Sequence, residues 1–174
     1  MNKELLEFLK SRRSIRAFKN EQITDDELSA VLDAGVYAPT GMGTQSPVIV
    51  AVQDRETKGQ LIRMNARVMG SGNDPYYGAP TILLVFGAKS CATYFEDACN
   101  VLTYLLLAAH ASGLGAVWIA REREMFETDG GKALLAKWGL PDDMVGIGAV
   151  ALGYAACDAP GAAVRKKDYI VKVL

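Results

Sequence analysis

Val101-Leu-Thr-Tyr-Leu-Leu-Leu-Ala-Ala-His-Ala-Ser-Gly-Leu-Gly-Ala-Val-Trp-Ile-Ala120 runs for twenty positions without a formal charge, the length of a membrane span. Thr103, Tyr104, His110 and Ser112 interrupt its apolar character, and Gly113-Leu-Gly115 breaks it in two. A spanning helix has no use for such a break, so the stretch reads as a buried helix to about Ser112, a glycine stop, and a strand Ala116–Ala120. Working back, the helix begins near Thr93 and is apolar nearly all round in its second half. Such a helix must be covered on every side, and in so small a chain a second subunit can supply part of the cover.

The rest of the chain fits a globular protein. It has 174 residues, half of them hydrophobic and 22% charged, with a formal net charge of −1. This favours one domain over residues 1–174 and excludes a disordered or disulfide-stapled class. A near-neutral balance argues against a nucleic-acid binder working by general electrostatics. Three cysteines (Cys91, Cys99, Cys157) and a single histidine, His110, cannot build a structural zinc site or a cysteine-ligated cluster. The cysteine usage and the charged, amphipathic start of the chain together predict a cytoplasmic protein.

Around the central stretch, helices are predicted at about Lys3–Arg12, from Thr24 to before Pro39, Asp54–Met69 and Gly131–Lys137. Thr24-Asp-Asp-Glu27 is a capping box. Strands are predicted at Val48–Gln53, Thr81–Gly87 and Met144–Leu152, and Ile170–Leu174 reads as strand-like. Residues 124–131 read as irregular, and no internal repeat or linker is visible. The order of elements describes a single α+β unit.

Ser11-Arg12-Arg13-Ser14-Ile15-Arg16 places three guanidiniums and two hydroxyls in six residues where the first helix ends. Guanidinium forks match the oxygens of a phosphate, and the same run can equally be a solvated basic face paired with Glu4, Glu7 and Glu21. Arg165-Lys166-Lys167 is a second basic cluster; with the first it suggests an anion site closed by both ends of the chain. The loop Pro39–Gln45 can approach a ligand closely through its glycines, although it is neither a P-loop nor a dinucleotide fingerprint. Catalytic triads fail on inventory: His110 reads as a satisfied core histidine, and Cys99 and Trp118 read as core. Glu122, Glu124 and Glu127 alternate with Arg121 and Arg123 as a solvated surface would. No catalytic side chain and no metal ligand is assigned.

Five segments in order make the chain resemble the nitroreductase family over essentially its whole length. They are Arg12-Arg-Ser-Ile-Arg-Ala-Phe18, Ala38-Pro-Thr-Gly-Met-Gly-Thr-Gln45, Tyr77-Gly-Ala-Pro80, Leu105 to Gly115, and Val150-Ala-Leu-Gly-Tyr154 with the basic tail. The resemblance implies an α+β fold with a central, mainly antiparallel sheet flanked by helices, and a homodimer with FMN at its interface. It assigns Arg12, Arg13, Ser14, Arg165 and Lys166 to the FMN phosphate, Arg16 to the N1/O2 edge of the ring, and Asn73 to its pyrimidine edge. Pro39, Thr40, Gly41 and Gln45 would come from the other subunit, and Ala120 would offer a backbone N–H near N5. The implied activity is ping-pong hydride transfer from NADH or NADPH to a small electron acceptor such as a nitroaromatic or quinone, with no nucleic acid or membrane involved. A flavin-binding protein without turnover and a same-fold dehalogenase or flavin-cleaving enzyme are the rivals. Three departures from the family pattern stand out: Gly43 where Asn is frequent, Ser46-Pro47 where Pro-Trp is common, and Arg121 where glycine is usual. The insertion often found after the central helix is absent, which implies a pocket that is open or lidded only by the 70–79 loop.

Overall fold

The structure, a computed structural model, describes residues 1–166 and 170–173. Six helices, α1 (Lys3–Ser11), α2 (Asp25–Val36), α3 (Arg55–Met69), α4 (Tyr94–Ala111), α5 (Glu122–Glu127) and α6 (Asp129–Lys137), surround four strands. These are β1 (Val48–Val52), β2 (Thr81–Ala88), β3 (Gly115–Ile119) and β4 (Met144–Gly153), in the order β1-β2-β4-β3 with every neighbouring pair antiparallel. The expected α+β class and antiparallel sheet are therefore observed.

Both faces of the sheet are covered, which is why β2 is a continuous apolar run buried at every position. Leu83 and Val85 face α4, with Val101, Leu102 and Leu105 behind them. Ile82, Leu84 and Phe86 face the other way, against Leu61 of α3 and Met125 and Phe126 of α5. Full burial of each such side chain is worth about 1.5–3 kcal/mol. A β-carbon on Gly35 would lie 2.7 Å from Leu105, so glycine is what lets α2 pack closely on α4. The capping box forms as its sequence requires: Thr24 accepts from the Glu27 amide, and the Glu27 carboxylate accepts from the Thr24 amide.

The two ends of the chain run side by side. Phe18 and Ala155 form an antiparallel bridge, Lys19 N–H donates to the Tyr154 carbonyl, and Ala156 N–H donates to the Ala17 carbonyl. The Tyr154 hydroxyl donates to Glu27 at 2.6 Å and fixes this segment against α2.

Several expectations need correction. Residues 170–173 form no strand and are exposed, because an isolated apolar run without a neighbouring strand has no ladder to join; Leu174 lies outside the described residues. The segment expected to be irregular contains α5 and the first turn of α6, with Thr128 capping the latter through its hydroxyl. Glu122, expected on a solvated surface, is fully buried. Trp118, expected in the core, is 36% exposed because β3 is an edge strand. Cys99 is half-buried rather than core.

α4 is covered along Val101, Leu102, Leu105, Leu106 and Ala109 by the sheet and by α2, while Thr103 and Tyr104 remain exposed. No helix among the described residues is long and apolar enough to cross a membrane.

Candidate functional site

α1 ends at Ser11, and the chain turns so that Ile15 N–H donates to the Ala116 carbonyl at the start of β3. Ile15 is thereby buried, while Arg12, Arg13 and Ser14 are held half-buried at the surface. Arg12 and Arg13 line a cavity of about 290 Å³ together with Ser11, His110, Gly115 and Cys157. Its walls thus come from the end of α1, the end of α4, the start of β3 and the C-terminal segment. Arg13 Nη1 is occupied by the carbonyls of Lys10 (2.6 Å) and Arg12 (2.8 Å). Arg12 Nη1 is buried without a hydrogen-bond partner among the described residues. A guanidinium stays charged at all relevant pH, so burial without a partner is costly unless an anion completes it. This donor set fits a phosphate dianion.

His110 also lines this cavity and is not the satisfied core histidine that the sequence suggests. It is half-buried, with Nε2 2.7 Å from the Ser11 hydroxyl and its ring stacked on Phe8 at 4.8 Å between centroids. Burial, then the neighbouring Arg12 and Arg13 cations, hold its pKa below the ordinary histidine value. Leu106, one helical turn earlier, lines the same cavity, so the i, i+4 phase was the available signal for His110.

The remaining expected site residues do not all meet here. Arg16 is exposed, and Arg165 and Lys166 are exposed and do not line the cavity; Lys167 lies outside the described residues. Asn73 is exposed in the loop between α3 and β2.

Pro39, Thr40, Gly41 and Gln45 belong to a separate place. Gly41 N–H donates to the buried Asp97 at 2.9 Å, Asn100 donates to the Pro39 carbonyl, and Gln45 N–H donates to the Thr40 hydroxyl. Thr40 and Gln45 border an apolar recess of about 410 Å³ with Leu32, Val48 and Val101. The loop is shaped by left-handed backbone at Met42 (φ 53°) and Gln45 (φ 51°), with Gly43 alike at φ 68°.

At the far end of β3, the Ala120 carbonyl accepts from the Asn65 side chain at 2.9 Å. Arg121 follows with φ 84°, the backbone a glycine would adopt most easily, and its Nε donates to Asn65 Oδ1 at 2.8 Å. The side chain therefore keeps the glycine-like path instead of diverting it. Beneath this turn lies a buried polar cluster of Asn65, Tyr76 and Glu122. Both Tyr76 Oη (3.2 Å) and Asn65 Nδ2 (3.3 Å) donate to Glu122 Oε1, while Glu122 Oε2 is buried and unpartnered. Burial pushes the Glu122 carboxyl up to about 8 and also raises the Tyr76 hydroxyl. The sequence analysis missed this cluster. The one signal was Asn65, a polar residue four positions after Leu61 on the buried side of α3.

Comparison with known proteins places the fold in a family. The nitroreductase family model matches residues 9–74. The chain is 30% identical over 157 residues to a protein of Archaeoglobus fulgidus carrying the name NADH dehydrogenase/NAD(P)H nitroreductase, covering 87% of this chain and 85% of that one. It is 30% identical over 135 residues to the iodotyrosine deiodinase of Thermotoga neapolitana, covering 66% and 73%. A crystal structure of a nitroreductase with bound FMN from Bacteroides fragilis superposes with a TM-score of 0.88 at 29% identity, covering 98% of each chain. The chain belongs to the nitroreductase family.

Proposed function

We propose that this chain, as a single unit over residues 1–174, is an FMN-dependent oxidoreductase that takes hydride from NADH or NADPH and passes it to a small electron-poor acceptor. The observation that carries the reading is the buried, unpaired Arg12 Nη1 in a cavity bordered by Arg13 and by both ends of the chain. When bound, the flavin supplies the two-electron chemistry, alternating between donor and acceptor in a ping-pong sequence. The protein's part is to bind, orient and polarise.

In this reading Arg12, Arg13 and Ser14 hold the phosphate, joined by Arg165 and Lys166 from the tail. Arg16 stabilises negative charge at the ring's N1/O2 edge, Asn73 bonds the pyrimidine edge, and the Ala120 N–H points towards N5. The Asn65 bond to the Ala120 carbonyl holds the next peptide, Ala120–Arg121, beside that N–H.

Pro39, Thr40, Gly41 and Gln45 would serve the flavin of a second copy, since within one chain none of them lines the Arg12–Arg13 cavity and Thr40 and Gln45 border a different recess. A homodimer is further supported by α1, which has no buried residue although Leu5, Leu6 and Leu9 are all on it. The three cysteines are free thiols, which supports a reducing compartment such as the cytoplasm. Residues 112–114 alone separate α4 from β3, so the structure has no insertion after the central helix.

The test is the visible absorption spectrum of the purified protein, repeated after anaerobic addition of NADH or NADPH. A flavin spectrum that bleaches supports the reading. A colourless protein that FMN cannot reconstitute overturns it. A flavin that survives the nicotinamide unchanged would move the reading to a flavin-binding protein without turnover.

A further inference from the structure

We propose that His110 is a phosphate-holding residue of the Arg12–Arg13 cavity, and that a phosphate entering the cavity brings a proton onto its imidazole. The inference deepens the flavin reading, on which the identity of the phosphate-bearing ligand rests; the cavity's preference for phosphate rests on geometry alone.

The cavity is lined by Arg12, Arg13 and His110, and among the described residues no carboxylate lines it. Three cation-forming groups gathered without an acid repel one another, so the arrangement is stabilised only by an anion. The groups facing His110 are Arg12 and Arg13 from the segment after α1, Ser11 and Phe8 from α1 itself, and the Cys157 thiol from the C-terminal segment. Its own helix sets no charged side chain against it in the cavity.

The hydrogen bonds fix which nitrogen titrates. Ser11 has one hydroxyl proton and two neighbours in range, the Phe8 carbonyl at 2.8 Å and His110 Nε2 at 2.7 Å. A carbonyl can only accept, so the hydroxyl donates to Phe8 and His110 Nε2–H donates to Ser11 Oγ. Nδ1 is then the basic nitrogen that takes a proton from solvent. With the cavity empty, the two guanidiniums oppose that proton. A phosphate dianion offsets their two charges and offers the imidazolium an acceptor, so binding is accompanied by proton uptake.

His110 is the only histidine in the chain, so its ring Cε1–H gives a single, unambiguous proton NMR signal in protein lacking a histidine tag. The experiment titrates that signal in wild-type flavin-free protein, then with inorganic phosphate, with FMN, and with riboflavin, which has the same ring and no phosphate. The free protein is expected to titrate below the ordinary value of about 6.5. Inorganic phosphate and FMN are each expected to raise the midpoint by about one pH unit or more, equivalent to about tenfold tighter binding by the protonated form. Riboflavin is expected to leave it in place.

A midpoint unmoved by saturating FMN or phosphate overturns the role of His110 even if FMN binds. A midpoint raised by inorganic phosphate in a protein that quenches no FMN fluorescence supports the proposal and sinks the flavin reading. As a second readout, FMN affinity in wild type should decline as pH rises from the free to the bound midpoint of His110, and His110→Gln should abolish that decline. Superimposable profiles in the two proteins would overturn the proton coupling.

Discussion

The two ends of β3 hold unsatisfied buried groups of opposite chemistry. At its start is Arg12 Nη1; beyond its end is Glu122 Oε2, and neither has a hydrogen-bond partner. A buried carboxyl can relieve its position by taking a proton, and burial pushes Glu122 up to about 8 so that it does. A guanidinium has no such escape, because it keeps its proton at any pH at which the protein is folded. The first end is therefore the one that the proposed phosphate would stabilise, while the second is completed by protonation and the surrounding Tyr76 and Asn65. An orphaned cation marks a binding site more sharply than an orphaned acid does.

That contrast breaks most visibly in the double variant Arg12→Ala/Arg16→Ala. Two charged contacts of about 1.5–3 kcal/mol each correspond to a loss of about 10²–10⁴-fold in FMN affinity. Flavin fluorescence titration measures it. The unliganded variant should melt no lower than wild type, since a buried unpaired charge has gone. Unchanged flavin affinity would refute the phosphate assignment.

Glu122→Gln addresses the other end. The folded carboxyl binds its proton up to about pH 8, whereas the unfolded one releases it near 4.5. The native state thus holds more protons between those limits, so this group's contribution is fully present below the lower value and is lost as pH rises through 8. The expected loss is on the order of a few kcal/mol. Urea unfolding at pH 5 and pH 8.5 should show wild type losing stability relative to Glu122→Gln. Parallel behaviour of the two proteins would mean that Glu122 is charged in the fold.

What the sequence revealed and what it hid follow the same division. The Thr24–Glu27 capping box, the apolar runs of β2 and β4, and the basic Arg12–Arg16 turn are local patterns, and each forms where the pattern lies. α5 was hidden because its alternating Glu and Arg residues look like a solvated surface. Glu122 is buried against partners distant in sequence, with Asn65 and Tyr76, which donate to it, 57 and 46 positions away. His110 was hidden for the same reason, since its partner Ser11 is 99 positions distant. The Pro39–Gln45 loop was readable as a motif, yet the role proposed for it depends on a second copy that no single-chain pattern describes.

Asn65→Ala sharpens the view of the turn beyond β3. The Asn65 side chain donates to the Ala120 carbonyl and accepts from Arg121, so its loss leaves polar groups unpaired. Destabilisation of about 1–3 kcal/mol is expected in urea unfolding. A neutral outcome would show that water replaces the side chain at no cost.

The smallest effect concerns Arg121, and there the order of variants matters more than their size. Its φ of 84° costs a non-glycine residue about 1–2 kcal/mol, while its hydrogen bond to Asn65 at 2.8 Å returns about 1 kcal/mol. Arg121→Gly gives up the bond and the strain together, so it should match wild type within about 1 kcal/mol. Arg121→Ala gives up only the bond and retains the strain, so it should fall below Arg121→Gly by about 1 kcal/mol. Thermal melts of the three proteins decide it. Equal stability of the alanine and glycine variants would mean that this backbone is not held left-handed, and the Asn65 bond would then have no strained turn to secure.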